Sequence, residues 1–220
     1  MTWCTVLFDL DGTLTDSERG VSNGVINALA AFGIPAPSES DLRKYLGPPL
    51  WHSFHEFAGL SGADLEKAVH TYREYYHETG QYENSVYPEI PELLKKLKST
   101  NVQLAVATSK VEHTALSIIE HFQMTHLFEA IVGSDEKGEF RGSKGLVIRE
   151  AMNRLNATDP DDIVMIGDRL HDVHGARENG VDSIGVLWGY GEHQELIDAG
   201  ATHIVSDPKQ LSALLRLEQL

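Results

Sequence analysis

From Val86 onward, short apolar runs alternate with helix-patterned segments, and this alternation limits the fold more than any other feature of the chain. The runs occupy residues 102–107, 130–132, 163–166, 183–187 and 203–205. Between them lie helices: one opening at Pro91 with Leu93, Leu94 and Leu97 on its apolar face, then 112–122, 143–155, one ending near Gly180, 192–199 and a terminal helix. Strands apolar on both faces and separated by helices predict a mostly parallel sheet covered on both sides. The early run Val6-Leu7-Phe8 has the same character and joins that sheet.

The stretch between them is different. Val21, Val25, Leu29 and Phe32 recur at helical spacing until Gly33 and Pro35. Ser38 caps a short helix carrying Leu42, Tyr45 and Leu46, which Gly47-Pro48-Pro49 ends; a third helix covers 50–57. A fourth starts at Ser61, with Asp64 at capping-box spacing, and runs to about Gly80. No strand interrupts these helices, so 16–85 is expected to be a helical insertion into an α/β core made of 1–15 and 86–220.

With 220 residues and 41% apolar content, the chain has material for a sizeable core. Its 18 basic against 33 acidic side chains give a formal charge of −15. That field repels polyanions, which argues against nucleic acid and anionic membranes as partners. A small phosphorylated metabolite stays compatible if a divalent cation and local basic groups offset the charge. No run approaches the ~20 apolar residues of a membrane span, and the start shows no basic leader before a cleavable apolar run. Cys4, the only cysteine, excludes an internal disulfide, fits a reducing cytoplasm and is expected to be a buried small side chain. The 11 histidines show no paired ligand spacing such as His-x-x-x-His beside a third ligand, so most are expected to be solvated or structural.

Chemistry concentrates where apolar strands end. The first runs out into Asp9 and Asp11, and period two points both carboxylates to one side of an extended backbone. Either a cation sits between such acids or one keeps a proton while the other is ionised. Both arrangements serve phosphoryl transfer. The run at 102–107 ends at Thr108-Ser109-Lys110, where a hydroxyl and helix-start amides are suited to phosphate oxygens. The run at 163–166 ends at Gly167-Asp168-Arg169-Leu170-His171-Asp172, with two more acids at i and i+4, and Lys144 opens the preceding helix.

In this order, FDLDGTLTDS, VATSK, Lys144 and IGDRLHD closely resemble the motifs of the haloacid dehalogenase superfamily along the whole chain. The resemblance implies a Rossmann-like core with a helical cap inserted after the first motif, where 16–85 falls. It further implies Asp9 as nucleophile, and Asp11 as the acid that protonates the leaving oxygen and then activates water. Mg²⁺ would be held by Asp9, the backbone carbonyl of Asp11 and Asp168. Thr108 would donate to a phosphate oxygen, with Ser109 beside it, and Lys144 would stabilise nucleophile and transition state. Asp172 would orient metal waters or Lys144 rather than bind metal. Arg141 competes for the lysine role, but Lys144 has the family's place at the helix start.

Dehalogenases usually lack the second acid at i+2, so Asp11 favours phosphate ester hydrolysis. Phosphosugar mutases keep both acids, and a non-catalytic phosphate-binding protein would be expected to have lost one of Asp9, Asp11, Lys144 or Asp168. The segment Leu46-Gly47-Pro48-Pro49-Leu50-Trp51-His52-Ser53-Phe54 resembles the cap of phosphoglycolate phosphatase-like proteins and bacterial 5′-nucleotidases, and 182–191 is similar to the same branch. The Gly-Pro-Pro turn either presents a stiff backbone edge to substrate or simply connects helices. Arg43, Lys44 and Arg73 are candidate bases for a second anionic group, and Trp51, Tyr76, Tyr82 and Tyr190 are candidate stacking partners for a nucleobase. The reading leans to nucleoside 5′-monophosphates with phosphoglycolate as rival, and to a cap that opens and closes about crossings near Asp16 and Val86.

Overall fold

The structure, a computed structural model, describes residues 3–48, 50–136 and 140–216. It divides into two compact units, Met1–Thr15 with Val86–Leu220, and Asp16–Ser85.

In the first unit, six parallel strands stand in the order β5-β4-β1-β6-β7-β8. They are β1 (Thr5–Phe8), β4 (Gln103–Val111), β5 (Ala130–Ser134), β6 (Ile163–Gly167), β7 (Asp182–Val186) and β8 (His203–Val205). Two further short strands, β2 (Thr15–Asp16) and β3 (Ser85–Val86), pair as a separate ribbon. The helices are α5 (Ile90–Lys98), α6 (Glu112–His121), α7 (Lys144–Leu155), α8 (Leu170–Glu178), α9 (His193–Ala199) and α10 (Pro208–Leu214).

Strand period explains the two-sided core. Val6 and Phe8, with Leu104, Val106, Val164 and Ile166, enter one apolar cluster beside Leu93 and Leu97 of α5, Ile118 of α6 and Leu211 of α10. Leu7, Ala105, Ala107, Ile163 and Met165 enter the other, with Val147 and Ala151 of α7 and Ala176 of α8. Burial on both faces is why these strands read as unbroken apolar runs. It also pins the register, since a slip of one residue would exchange the two faces.

β1 pairs with β4 on one side and β6 on the other, so strand order reverses beside it. Open α/β sheets bind ligands at such a switch point, beyond the carboxyl ends of the strands. The segments emerging there are those after Phe8, the end of β4, and those after Gly167.

Two local expectations change. β4 continues to Val111, with an irregular register against β5 between Ala107 and Val111. Thr108, Ser109 and Lys110 are therefore strand residues, and helix-start amides lie beyond them at α6. Cys4 is exposed rather than buried: it precedes β1 at the amino ends of the strands, although its backbone still bonds to Asp162 and Gln103.

The second unit is all helical: α1 (Glu18–Ala30), α2 (Glu39–Leu42), α3 (Leu50–Ala58) and α4 (Gly62–Glu78). Ser38 caps α2 by accepting from the Asp41 amide, and the chain then tightens into a 3₁₀ turn over Arg43–Tyr45. Of the expected Gly-Pro-Pro turn, Pro49 lies outside the described residues. Ser61 takes the extended backbone of an N-cap but makes no side-chain cap, and Gly62 follows it with a left-handed φ of +54°.

α1 and α4 meet through small residues. A Cβ on Gly24 would lie 2.8 Å from the Tyr72 ring. Tyr72 stacks on Tyr76 with centroids 5.5 Å apart and meets Phe54 edge-on. Tyr76 is thus committed to the core of this unit, whereas Trp51 and Tyr82 are exposed. Arg43 pairs with Glu18 and Lys44 with Asp41, all at the surface, and Arg73 is exposed.

Candidate active site

The segment after β1 folds back at once. Leu14 and Thr15 donate their amides to the Leu10 carbonyl, and the Gly12 amide bonds to Thr15. Gly12 has φ +76°, and a Cβ there would lie 2.2 Å from Asp168 Oδ2. Glycine at this position lets the Asp11-Gly12 backbone close on Asp168. The Asp9 amide bonds to the Ile166 carbonyl, extending the β1–β6 ladder one residue into the site.

Lys144 ties the cluster together. Its ammonium lies 2.8 Å from Asp9 Oδ1 and 2.7 Å from Asp172 Oδ1, and donates to the Ala107 carbonyl at 3.1 Å. Ser143 caps α7 and starts the helix at Lys144, and Gly175 of α8 leaves room for the lysine stem. Burial works against the charge on Lys144, but attraction to Asp172 and Asp9 prevails and holds its proton above the ordinary lysine range. Arg141 does not compete for this place: it pairs with Glu112, which also meets Arg154.

Asp168 is fully buried. It accepts from the Tyr190 amide at 2.7 Å and from the Thr13 hydroxyl at 3.5 Å. Burial, then the charges of Asp172 and Asp9, push its carboxyl up to about 8. Asp172 is the third residue of α8 and accepts the Arg169 amide at the helix start, at 3.0 Å. Burial raises this carboxyl too, against the pull of Lys144.

Oxygens of Asp9, Asp168 and Asp172 lie within 4.8 Å of one another, the one cluster of potential metal ligands among the described residues. Three carboxylates this close, two fully buried, are a donor set suited to a hard divalent cation such as Mg²⁺. One lysine cannot balance three such charges, and this deficit adds to burial in raising the Asp168 carboxyl.

Asp11 faces a partner that its spacing from Asp9 did not indicate. Its Oδ2 lies 2.9 Å from Lys110 Nζ. Thr108 is buried, and its hydroxyl oxygen accepts the Lys110 amide at 3.2 Å. Ser109 is exposed and takes no part in these contacts.

A further wall comes from the loop after β7. The Trp188 indole donates to the Thr13 carbonyl at 3.0 Å. A Cβ on Gly189 would lie 2.2 Å from the Gly12 carbonyl, and one on Gly191 1.8 Å from that of Asp168. Two glycines around an aromatic were the available signal for this close approach, and Tyr190 contributes its amide rather than only a ring.

Residues 6–186 match the model of the haloacid dehalogenase-like hydrolases. The chain belongs to that family. Among its hydrolase-family relatives is a 5′-nucleotidase of Pseudomonas aeruginosa, 41% identical over 96% of this chain and 94% of the relative. The tyrosine-protein kinase PtkA of Mycobacterium tuberculosis is 42% identical over 95% of this chain and 70% of its own length. A phosphoglycolate phosphatase of Aquifex aeolicus is 29% identical over 84% of this chain and 85% of the relative. The crystal structure of a predicted phosphatase from Clostridium acetobutylicum superposes with a TM-score of 0.90 at 42% identity, covering 98% of this chain and 99% of that one.

Proposed function

We propose that this haloacid dehalogenase-like phosphatase hydrolyses monoesters of small phosphorylated metabolites through an aspartyl-phosphate on Asp9, with Mg²⁺ as cofactor. The observation that carries the reading is the Lys144 ammonium set between Asp9 and Asp172 within a cluster of three acids. Lys144 aims Asp9 and offsets charge that builds on phosphorus. An Asp9 oxygen attacks phosphorus as the bond to the leaving oxygen breaks, and Asp11 gives that oxygen a proton. Asp11 then takes a proton from water as the water oxygen displaces Asp9, releasing inorganic phosphate. Thr108 accepts the Lys110 amide, so its own hydroxyl proton is available to a phosphate oxygen, with exposed Ser109 beside it.

Asp9, Asp168 and the Asp11 carbonyl would hold the Mg²⁺, with Asp172 positioning Lys144. When bound, the cation neutralises charge on the transferring phosphoryl group. The helical unit, 16–85, serves as the substrate-selecting cap. We favour nucleoside 5′-monophosphates in the cytoplasm. Supporting this are the identity to the Pseudomonas 5′-nucleotidase, well above that to the Aquifex phosphoglycolate phosphatase, and the segment at 46–54.

The test is phosphate release with Mg²⁺ from nucleoside 5′-monophosphates, phosphoglycolate and sugar phosphates, with Asp9→Asn and a chelator as controls. Turnover of a nucleotide, lost in both controls, is expected. Preferred turnover of phosphoglycolate would move the substrate class. Transfer from ATP to a tyrosine, without ester hydrolysis, would instead align the protein with the mycobacterial relative's name.

A further inference from the structure

Lys110 has no part in the reaction described so far, yet it makes the ion pair nearest to its proton-transfer step. The pair with Asp11 spans 2.9 Å, and only 12% of the lysine side chain is exposed. A lysine at a strand end ordinarily extends its ammonium into water. This one is turned inward, and its backbone amide is fixed on the Thr108 hydroxyl, so the segment that offers a phosphate donor also places the ammonium.

The second observation concerns the other oxygen of the same carboxyl. Asp11 Oδ1 is buried and has no hydrogen-bond partner among the described residues. Buried polar atoms are nearly always paired, so an unpaired one marks a place where another group belongs. A carboxylic acid donates from one oxygen and accepts at the other. With Lys110 held on Oδ2, the oxygen left to meet a leaving group or a water is Oδ1.

We propose that Lys110 is a positioning residue for Asp11: it fixes the carboxyl through Oδ2 so that Oδ1 exchanges the proton with the leaving oxygen and then with water. This rests on the role of Asp11 given under the proposed function. The step is balanced. The proton on Oδ1 goes to the departing alkoxide as the Asp9 oxygen–phosphorus bond forms, and the attacking water returns one to Oδ1 as that bond breaks. Lys110 gains and loses nothing.

The consequence is a dependence on leaving group. An alkoxide needs the proton to depart, whereas 4-nitrophenolate leaves with little help. Because kcat/KM covers steps only as far as loss of the leaving group, it isolates the acid half of the cycle.

The experiment measures kcat/KM with Mg²⁺ for Lys110→Met, using 4-nitrophenyl phosphate and the alkyl ester of the substrate panel that turns over fastest. Asp11→Asn is the reference. A misplaced acid–base group costs on the order of 100-fold, so the alkyl ester should fall by about that factor. The aryl ester should stay within about threefold, and its retained turnover reports a folded protein. Lys110→Gln, read the same way, stands in if the methionine variant does not fold.

Equal losses on both esters, or no loss on either, would overturn the role of Lys110 provided Asp11→Asn shows the leaving-group split. If the wild-type protein releases no phosphate, or Asp9→Asn still does, the phosphatase reading fails first and this inference falls with it.

Discussion

Replacing Lys144 with methionine keeps the stem and removes the charge. In the metal-free protein this leaves Asp9, Asp168 and Asp172 clustered with oxygens within 4.8 Å and no cation among them. Breaking a buried pair by deleting one partner costs roughly 3–5 kcal/mol, because the remaining charge is neither solvated nor compensated. Here one lysine serves two carboxylates, its side chain is only 4% exposed, and Asp172 is as deeply buried. The upper half of that range is expected at pH 8. For a domain of this size it corresponds to a melting temperature lower by roughly 8–20 °C. Urea unfolding with chelator present, followed through Trp3 and Trp188 of the α/β unit, measures it. At pH 5 the loss should shrink, because burial raises the Asp168 and Asp172 carboxyls and they shed their charge there. A loss below about 1 kcal/mol at pH 8 would mean that water reaches these acids freely and that the electrostatic account of the site is wrong.

Asp168 sets a second pH dependence. With its folded value near 8 and an ordinary carboxyl when unfolded, it contributes stability to the metal-free protein that is full below about pH 4 and lost as pH rises through 8. The gain in melting temperature on adding Mg²⁺ should therefore be larger at pH 8.5 than at pH 6, and an equal gain at both would contradict it. Gly191→Ala puts a Cβ 1.8 Å from the Asp168 carbonyl. It should cost about 1–3 kcal/mol in thermal unfolding and weaken Mg²⁺ binding in a titration calorimeter. Gly24→Val wedges α1 away from the Tyr72 ring and should destabilise the helical unit by a similar 1–3 kcal/mol, read by circular dichroism.

The sheet could be read in advance because its strands are buried on both faces and its helices on one, which writes two different periods into the chain. The helix start at Lys144 was equally legible, since Ser143 stands in front of it as a cap. The convergence of Asp9, Lys144, Asp168 and Asp172 follows from motif order and from the rule that ligands gather at strand ends. Side-chain direction at irregular backbone was not legible. The uneven register between Ala107 and Val111 turns Lys110 toward Asp11, and period-two reasoning has no term for it. At Ser61 the extended cap backbone forms, but the side-chain bond that its spacing to Asp64 suggests does not. Tyr76 shows the same limit for function, because an aromatic that stacks on another tyrosine reads in sequence like one that awaits a base.

The place of β1 bears on how the protein is made. It is the first of the six sheet strands to leave the ribosome, yet its two neighbours are β4 and β6. At bacterial and eukaryotic elongation rates, roughly 8 to 30 s pass before Ile163 follows it. Throughout that interval Val6, Leu7 and Phe8 lack the ladder on one edge at least, while the acids beside them wait for Lys144. The helical stretch synthesised meanwhile, in which α1 closes on α4, is complete before β4 emerges and can fold in that interval. A nascent chain in this state presents an unpaired strand edge, and slow codons between β4 and β6 would prolong its exposure.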